Sequence, residues 1–133
     1  MNTMTADEAS VFASKWLPAW TSNHPELLAE FYSEDAFYSD PAIPEGIRGK
    51  ADLLGYFRRL LAKFPDWVWT QIEAIPMEDG FLNKWNAAIP MGQITLNIVG
   101  VCFVQFDESG KIRRNEVYFD RHNLLEAMNN ARD

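Results

Sequence analysis

Hydrophobic positions recur every three or four residues in the first half of the chain and every second residue in the second half. In the first half, Phe12, Trp16 and Trp20 fall on one face of a helix. Thr5 and Glu8 supply a capping box at its start. Pro18 interrupts the pattern and predicts a kinked or shortened last turn. Pro25 opens a second, short helix with Leu27, Leu28 and Phe31 as its apolar face. Ser33-Glu34-Asp35 reads as a turn, Ala36 to Asp40 as a strand, and Pro41 to Gly49 as a loop. Lys50 to Phe64 is the clearest helix, with a stripe of Leu53, Leu54, Phe57, Leu60 and Leu61 that Pro65 stops.

After Pro65 the period becomes twofold. Residues 67–77, 81–91, 93–106 and 111–119 read as strands. Glu78-Asp79-Gly80, Met91-Gly92 and Asp107-Glu108-Ser109-Gly110 separate them with turn chemistry. Such short connections predict antiparallel neighbours. A last short helix beginning at Asp120 carries Leu124, Leu125 and Met128. Helices come first and the long strands are grouped, which is an α+β arrangement. The expected architecture is a cone-shaped α+β barrel. A curved antiparallel sheet wraps around three helices from the N-terminal half, with a short C-terminal helix, in a single domain over residues 1–133. That shape leaves an apolar hollow between helices and sheet.

Composition sharpens this picture. Aromatic residues make up 14% of the 133, enough rings to line a hollow as well as fill a core. The net charge of −7 repels phosphate backbones and anionic lipid, so neither nucleic acid nor a membrane surface is expected as a partner. No apolar run reaches the ~18 residues of a membrane span, and the start of the chain lacks the pattern of a signal peptide. The expected location is cytoplasmic. Cys102 is the sole cysteine, so the chain can form neither an internal disulfide nor a thiolate zinc cluster. His24 and His122 have no partners at ligand spacing. No metal and no cofactor are expected, and no phosphate loop, GxSxG elbow or HExxH motif occurs.

Asp40 is the leading candidate for chemistry. It ends a strand just before Pro41, where an aspartate either caps a turn or faces a pocket as a base. Strand parity places Tyr38 on the same side as Asp40. Lys84 and Asn86 also share a face, one that is either solvated or turned toward the hollow. If they point inward, Lys84 would pair with Asp40. Trp67 and Trp69 share a strand face that predicts an exposed aromatic surface, and with it a homodimer through the sheet.

Three stretches carry a family resemblance: LLAEFYSEDAFYSDP (27–41), GIRGKADLLGYF (46–57) and VQFDESGKIRRNEVYFD (104–120). In this order the chain resembles the nuclear-transport-factor-2-like superfamily, closest to its SnoaL-like and ketosteroid-isomerase-like enzymes. The resemblance implies a proton-shuttling carboxylate at Asp40. It aligns Trp16 with the isomerases' tyrosine donor and Cys102 with their protonated acid. Neither residue builds a strong oxyanion hole, since Trp16 offers one N–H and Cys102 is a weak donor. Against the limonene-epoxide hydrolases, Tyr38 matches the tyrosine, while Lys84, Asn86 and Val117 stand where arginine and two carboxylates belong. The epoxide-hydrolase triad is therefore absent.

What remains as a catalytic cluster is Asp40, Tyr38, Lys84 and Asn86, in a pocket lined by Trp16, Trp20, Phe57, Cys102, Val117 and Phe119. Asp120 is a possible second acid, since SnoaL-like cyclases carry a carboxylate near this segment. It is also well placed to cap the last helix. The implied function is a cofactor-free isomerase, cyclase or dehydratase acting on a small hydrophobic carbonyl compound. The alternative is a noncatalytic small-molecule-binding or assembly domain of the same fold, and an epoxide hydrolase ranks below both.

Overall fold

The computed structural model describes residues 3–132. The ends of the expected domain, residues 1, 2 and 133, lie outside them. Helix α1 runs from Ala6 to Trp16. Its capping box is complete: the Glu8 N–H donates to Thr5 Oγ1 at 3.0 Å, and the Thr5 N–H donates to Glu8 Oε1 at 2.9 Å. At Pro18, which has no N–H to extend the ladder, the α-helix gives way to a 3-10 turn over Leu17–Trp20. Helix α2 (Pro25–Ala29) is short, and α3 (Lys50–Lys63) buries Leu53, Phe57 and Leu61. Helix α4 (His122–Arg132) closes the chain and starts two residues later than expected. No helix among the described residues is long and apolar enough to cross a membrane.

The strands are β1 (Tyr32–Asp40), β2 (Ile43–Arg48), β3 (Val68–Met77), β4 (Gly80–Met91), β5 (Ile94–Phe106) and β6 (Ile112–Tyr118). They form one curved sheet in the order β2-β1-β6-β5-β4-β3. Two local expectations are corrected. Residues 41–49 are not a loop: Pro41 and Ala42 make a tight turn, and β2 returns antiparallel to β1. The pairing slips between Tyr38 and Asp40. Gly46 permits the irregularity with a φ of 83°, and a Cβ there would lie 2.2 Å from the Phe37 ring. Ser33-Glu34-Asp35 is not a turn either. It lies inside β1, where the pairing with β6 shifts between Tyr32 and Phe37. Its turn-forming residues serve a bulge, with Ser33 Oγ donating to Asp35 Oδ1 at 3.1 Å.

The expectation of antiparallel neighbours holds for every pair except β1–β6, which run parallel. Along β4 the inward residues Phe81, Asn83, Trp85, Ala87 and Ile89 are buried and alternate with more exposed neighbours. The core lies between this concave face and the helices, and includes Trp16, Leu28, Leu53, Phe57 and Ile112.

Candidate functional site

Between the sheet and α1, α3 and α4 lies a cavity of about 220 Å³ with a mainly apolar lining. All five tryptophans of the chain line it. Trp16 and Trp20 come from the first helical segment, Trp67 and Trp69 from the start of β3, and Trp85 from β4. The residues on its wall that remain exposed are Ala42, Lys63 and Leu125. They mark the mouth, between the β1–β2 turn, the end of α3, and α4.

The expectation for Trp67 and Trp69 is corrected here. They point inward, half-buried against Phe64 and Trp20, while Val68 and Ile72 take the outer face. Trp85 shows how closely the wall is fitted. It pairs across the ladder with Gly100, and a Cβ there would lie 2.5 Å from its ring and 2.9 Å from Phe119 Cβ. The glycine leaves room for both rings, whose centroids are 5.6 Å apart.

Asp40 is set into this wall with an exposure of 9%. Its two carboxylate oxygens do different things. Oδ1 accepts from the backbone N–H groups of Ala42 at 2.8 Å and Ile43 at 3.2 Å, so it shapes the β1–β2 turn. Oδ2 accepts from the Tyr38 hydroxyl at 2.8 Å and from the Tyr56 hydroxyl at 2.7 Å. The turn-capping role and the cavity-facing role are thus both filled, one by each oxygen. Parity brings Tyr38 and Asp40 together as the sequence predicts.

Burial raises the Tyr38 pKa well above that of an ordinary phenol, and the Asp40 charge adds to the rise. Tyr56 is raised too, first by burial and then by its bond to Asp40, with Arg59 and Arg121 opposing. Both tyrosines therefore stay protonated and act as donors at neutral pH. Tyr38 is enclosed, whereas Tyr56 is only partly covered.

Of the other predicted site residues, Trp16, Trp20, Cys102, Val117 and Phe119 line the cavity. Burial pushes the Cys102 thiol up to about 12, which makes it a neutral, inert wall residue. Phe57 stands behind the wall, its ring packed on Trp20, Tyr32 and Tyr38. Lys84 and Asn86 are on the opposite face of the sheet, which corrects their expected place beside Asp40. Lys84 is exposed, and Asn86 Nδ2 donates to Asn97 Oδ1 at 3.1 Å. The reason is parity: Trp85 between them takes the inward position, and a strand cannot bury three consecutive side chains on one face. Asp120 is also outside the cavity. Its Oδ1 accepts the His122 N–H at 2.8 Å and caps the start of α4.

Sequence reasoning missed Tyr56, Asn115 and Arg121. Tyr56 lies three residues after Leu53 and four before Leu60, on the flank of the apolar stripe, and that spacing was a usable signal. Asn115 is fully buried in β6 opposite Tyr38, and Arg121 reaches the cavity from the start of the last helical segment.

Solved structures share this architecture. A hypothetical protein with a ketosteroid isomerase-like fold from Catenulispora acidiphila, in complex with trimethylamine, superposes with a TM-score of 0.74. The identity is 19%, over 86% of this chain and 89% of the other. A SnoaL-like protein of unknown function from Burkholderia thailandensis gives a TM-score of 0.73 at 20% identity, over 88% and 98% of the two chains. No curated protein matches by sequence. The model of the SnoaL-like domain matches residues 13–115, which include Asp40 and both tyrosines on it. The chain belongs to the SnoaL-like domain family, within the nuclear-transport-factor-2-like superfamily.

Proposed function

We propose that the protein is a cofactor-free enzyme that moves a proton on a small hydrophobic carbonyl compound, with Asp40 as the base. The observation that carries this reading is Asp40 Oδ2 on an apolar, aromatic wall, reached among the described residues by two tyrosine hydroxyls alone. A proton α to a carbonyl is taken by a carboxylate in such a setting. The four lone-pair positions of the carboxylate are all occupied by donors in the free protein. One donor must therefore yield, and Tyr56 is the one placed to do so, since its ring is partly exposed near the mouth. Tyr38 stays, and holds the carboxylate in position. The released Tyr56 hydroxyl then becomes available to the substrate oxygen.

The test is deuterium incorporation α to the carbonyl of 2-decalone in D₂O, followed by mass spectrometry. The wild-type protein accelerates incorporation over buffer, and Asp40→Asn abolishes the acceleration. Equal rates for the two proteins would remove Asp40 as the base.

A second reading is noncatalytic binding of a small molecule, and the saturated carboxylate favours it. An aromatic cavity with one carboxylate also suits an alkylammonium ion, and the Catenulispora neighbour was solved with trimethylamine. On this reading ligands bind without chemical change, and Asp40→Asn weakens only cationic ones. We also assign a homodimer to the outer face of the sheet. Val99 and Tyr118 are exposed there, and Phe103 packs on Tyr118 with ring centroids 6.1 Å apart.

A further inference from the structure

At the inner end of the cavity, away from the mouth, three polar side chains are almost completely enclosed. Trp16 has an exposure of 1%, and Tyr32 and Asn115 of 0%. Asn115 Nδ2 donates to Tyr32 Oη at 3.0 Å. The Trp16 indole N–H also lies against that hydroxyl, close enough to oppose the burial-driven rise of its pKa, but not in hydrogen-bond geometry. Trp16 and Asn115 both line the cavity. Among the described residues, each has one atom without a partner: the N–H on Trp16 Nε1, and the amide oxygen Oδ1 of Asn115.

Buried polar atoms are rarely left unpaired, because they lose their water and gain nothing in return. An unmet donor and an unmet acceptor beside the same tyrosine specify one kind of guest. We propose that this end of the cavity binds a hydroxyl group of the ligand. The Trp16 N–H donates to the hydroxyl oxygen, and the hydroxyl proton is donated to Asn115 Oδ1. A methyl group satisfies neither atom, and a ketone oxygen leaves the acceptor unmet.

The ligand body then lies along the aromatic wall. Trp16 and Trp20 have ring centroids 6.1 Å apart, and Trp20 and Tyr38 6.0 Å, which leads from this end to the Asp40 carboxylate. The class of molecule is a compact hydrocarbon skeleton with a hydroxyl remote from the group at Asp40. The inference rests on the cavity being the ligand site and deepens that reading, but it does not need Asp40 to be catalytic.

The experiment compares 1-adamantanol, 1-methyladamantane and 2-adamantanone, three saturated cages of similar size. Binding is followed by tryptophan emission, which reports on the cavity because every tryptophan lines it. The alcohol binds to the wild-type protein at least about tenfold tighter than the methyl cage, as one well-made buried hydrogen-bond pair implies. Trp16→Phe and Asn115→Leu, checked for folding by circular dichroism, each reduce the ratio of alcohol to methyl-cage affinity severalfold. Asp40→Asn keeps the preference.

Equal binding of alcohol and methyl cage by the wild-type protein overturns the proposal, as does binding of neither. Tighter binding of the ketone would mean that two donors face the ligand, and also overturns it. A preference that disappears in Asp40→Asn assigns the hydroxyl to Asp40 instead, which refutes this inference and leaves the carboxylate reading standing.

Discussion

Raising the pH should unfold this protein abruptly, and the cavity is the reason. Burial raises the pKa of Tyr32, of Tyr38 and of Cys102, so the folded protein keeps protons that the unfolded chain releases. For a group raised on folding, the contribution to stability is complete below the unfolded pKa and is lost as pH climbs toward the folded one. The unfolded values are about 8.5 for the thiol and about 10 for the phenols. The sensitive window therefore opens near pH 9 for Cys102 and near pH 10 for the tyrosines.

Each group costs about 1.4 kcal/mol per pH unit inside its window, and the three together about 4 kcal/mol per pH unit above pH 10. A domain stability of about 8 kcal/mol is exhausted roughly two units higher. Tyr56 steepens the fall further, though its partial exposure makes its share smaller. Tyr118 behaves differently, because it lies half-exposed on the outer face and is raised chiefly by its bond to Glu116.

The assay follows tyrosinate absorbance and far-ultraviolet circular dichroism in the same titration. One tyrosine of four ionises while the dichroism holds, and the other three appear together as it collapses. Tyr38→Phe makes the decline shallower by about one third of the combined slope. Gradual ionisation of all four near pH 10 in a chain that stays folded would refute the reasoning.

Other substitutions test other parts of the molecule. Gly100→Ala puts a methyl group 2.5 Å from the Trp85 ring, and should lower stability by about 1–3 kcal/mol in urea titrations; an unchanged midpoint would show that the two rings have room to move. Asp40→Asn should lose some stability, because its amide oxygen still serves the turn but its NH₂ meets two hydroxyls that were donating. Asp40→Ala should be less stable than Asp40→Asn by about 1–3 kcal/mol, because the enclosed Tyr38 hydroxyl loses its partner; equal denaturation midpoints would contradict this. Val99→Glu places a charge on the exposed sheet face and should convert a dimer to monomer in light scattering. A wild-type protein already monomeric at micromolar concentration removes the dimer.

Much of the fold could be read from periodicity, because the change from helical to twofold spacing after Pro65 follows burial directly. The long strands of the second half begin and end within a residue of their expected limits. What escaped was set by tertiary partners. β2 has no alternation of its own, and only the bulge at Gly46 and the pairing to β1 make it a strand. Within the site, Asp40 and Tyr38 were legible because they lie two apart on one strand. Lys84 and Asn86 were misplaced because parity states which residues share a face, but not which face is inside. The tryptophan between them held that answer: a large ring is the residue to assign inward. Tyr56 and Asn115 reach the cavity from other elements, and no local pattern connects them to Asp40.

The parallel pairing of β1 with β6 has a consequence for how the protein is made. Tyr38 and Asn115 face each other across that pair, although they come from distant parts of the chain. The strand that carries Asp40 leaves the ribosome early, with the β2 hairpin and α3 to hold it, and its other edge stays open until β6 has been synthesised. Local contacts cannot complete this closure, so it belongs among the slower steps of folding. Until it happens, the aromatic wall has no opposite side and the exposed edge is open to other chains. A hydrophobic ligand present during synthesis would meet a finished cavity only after the last strand has docked. Co-expression with such a ligand would then raise yield by trapping the closed state, and not by guiding the early helices.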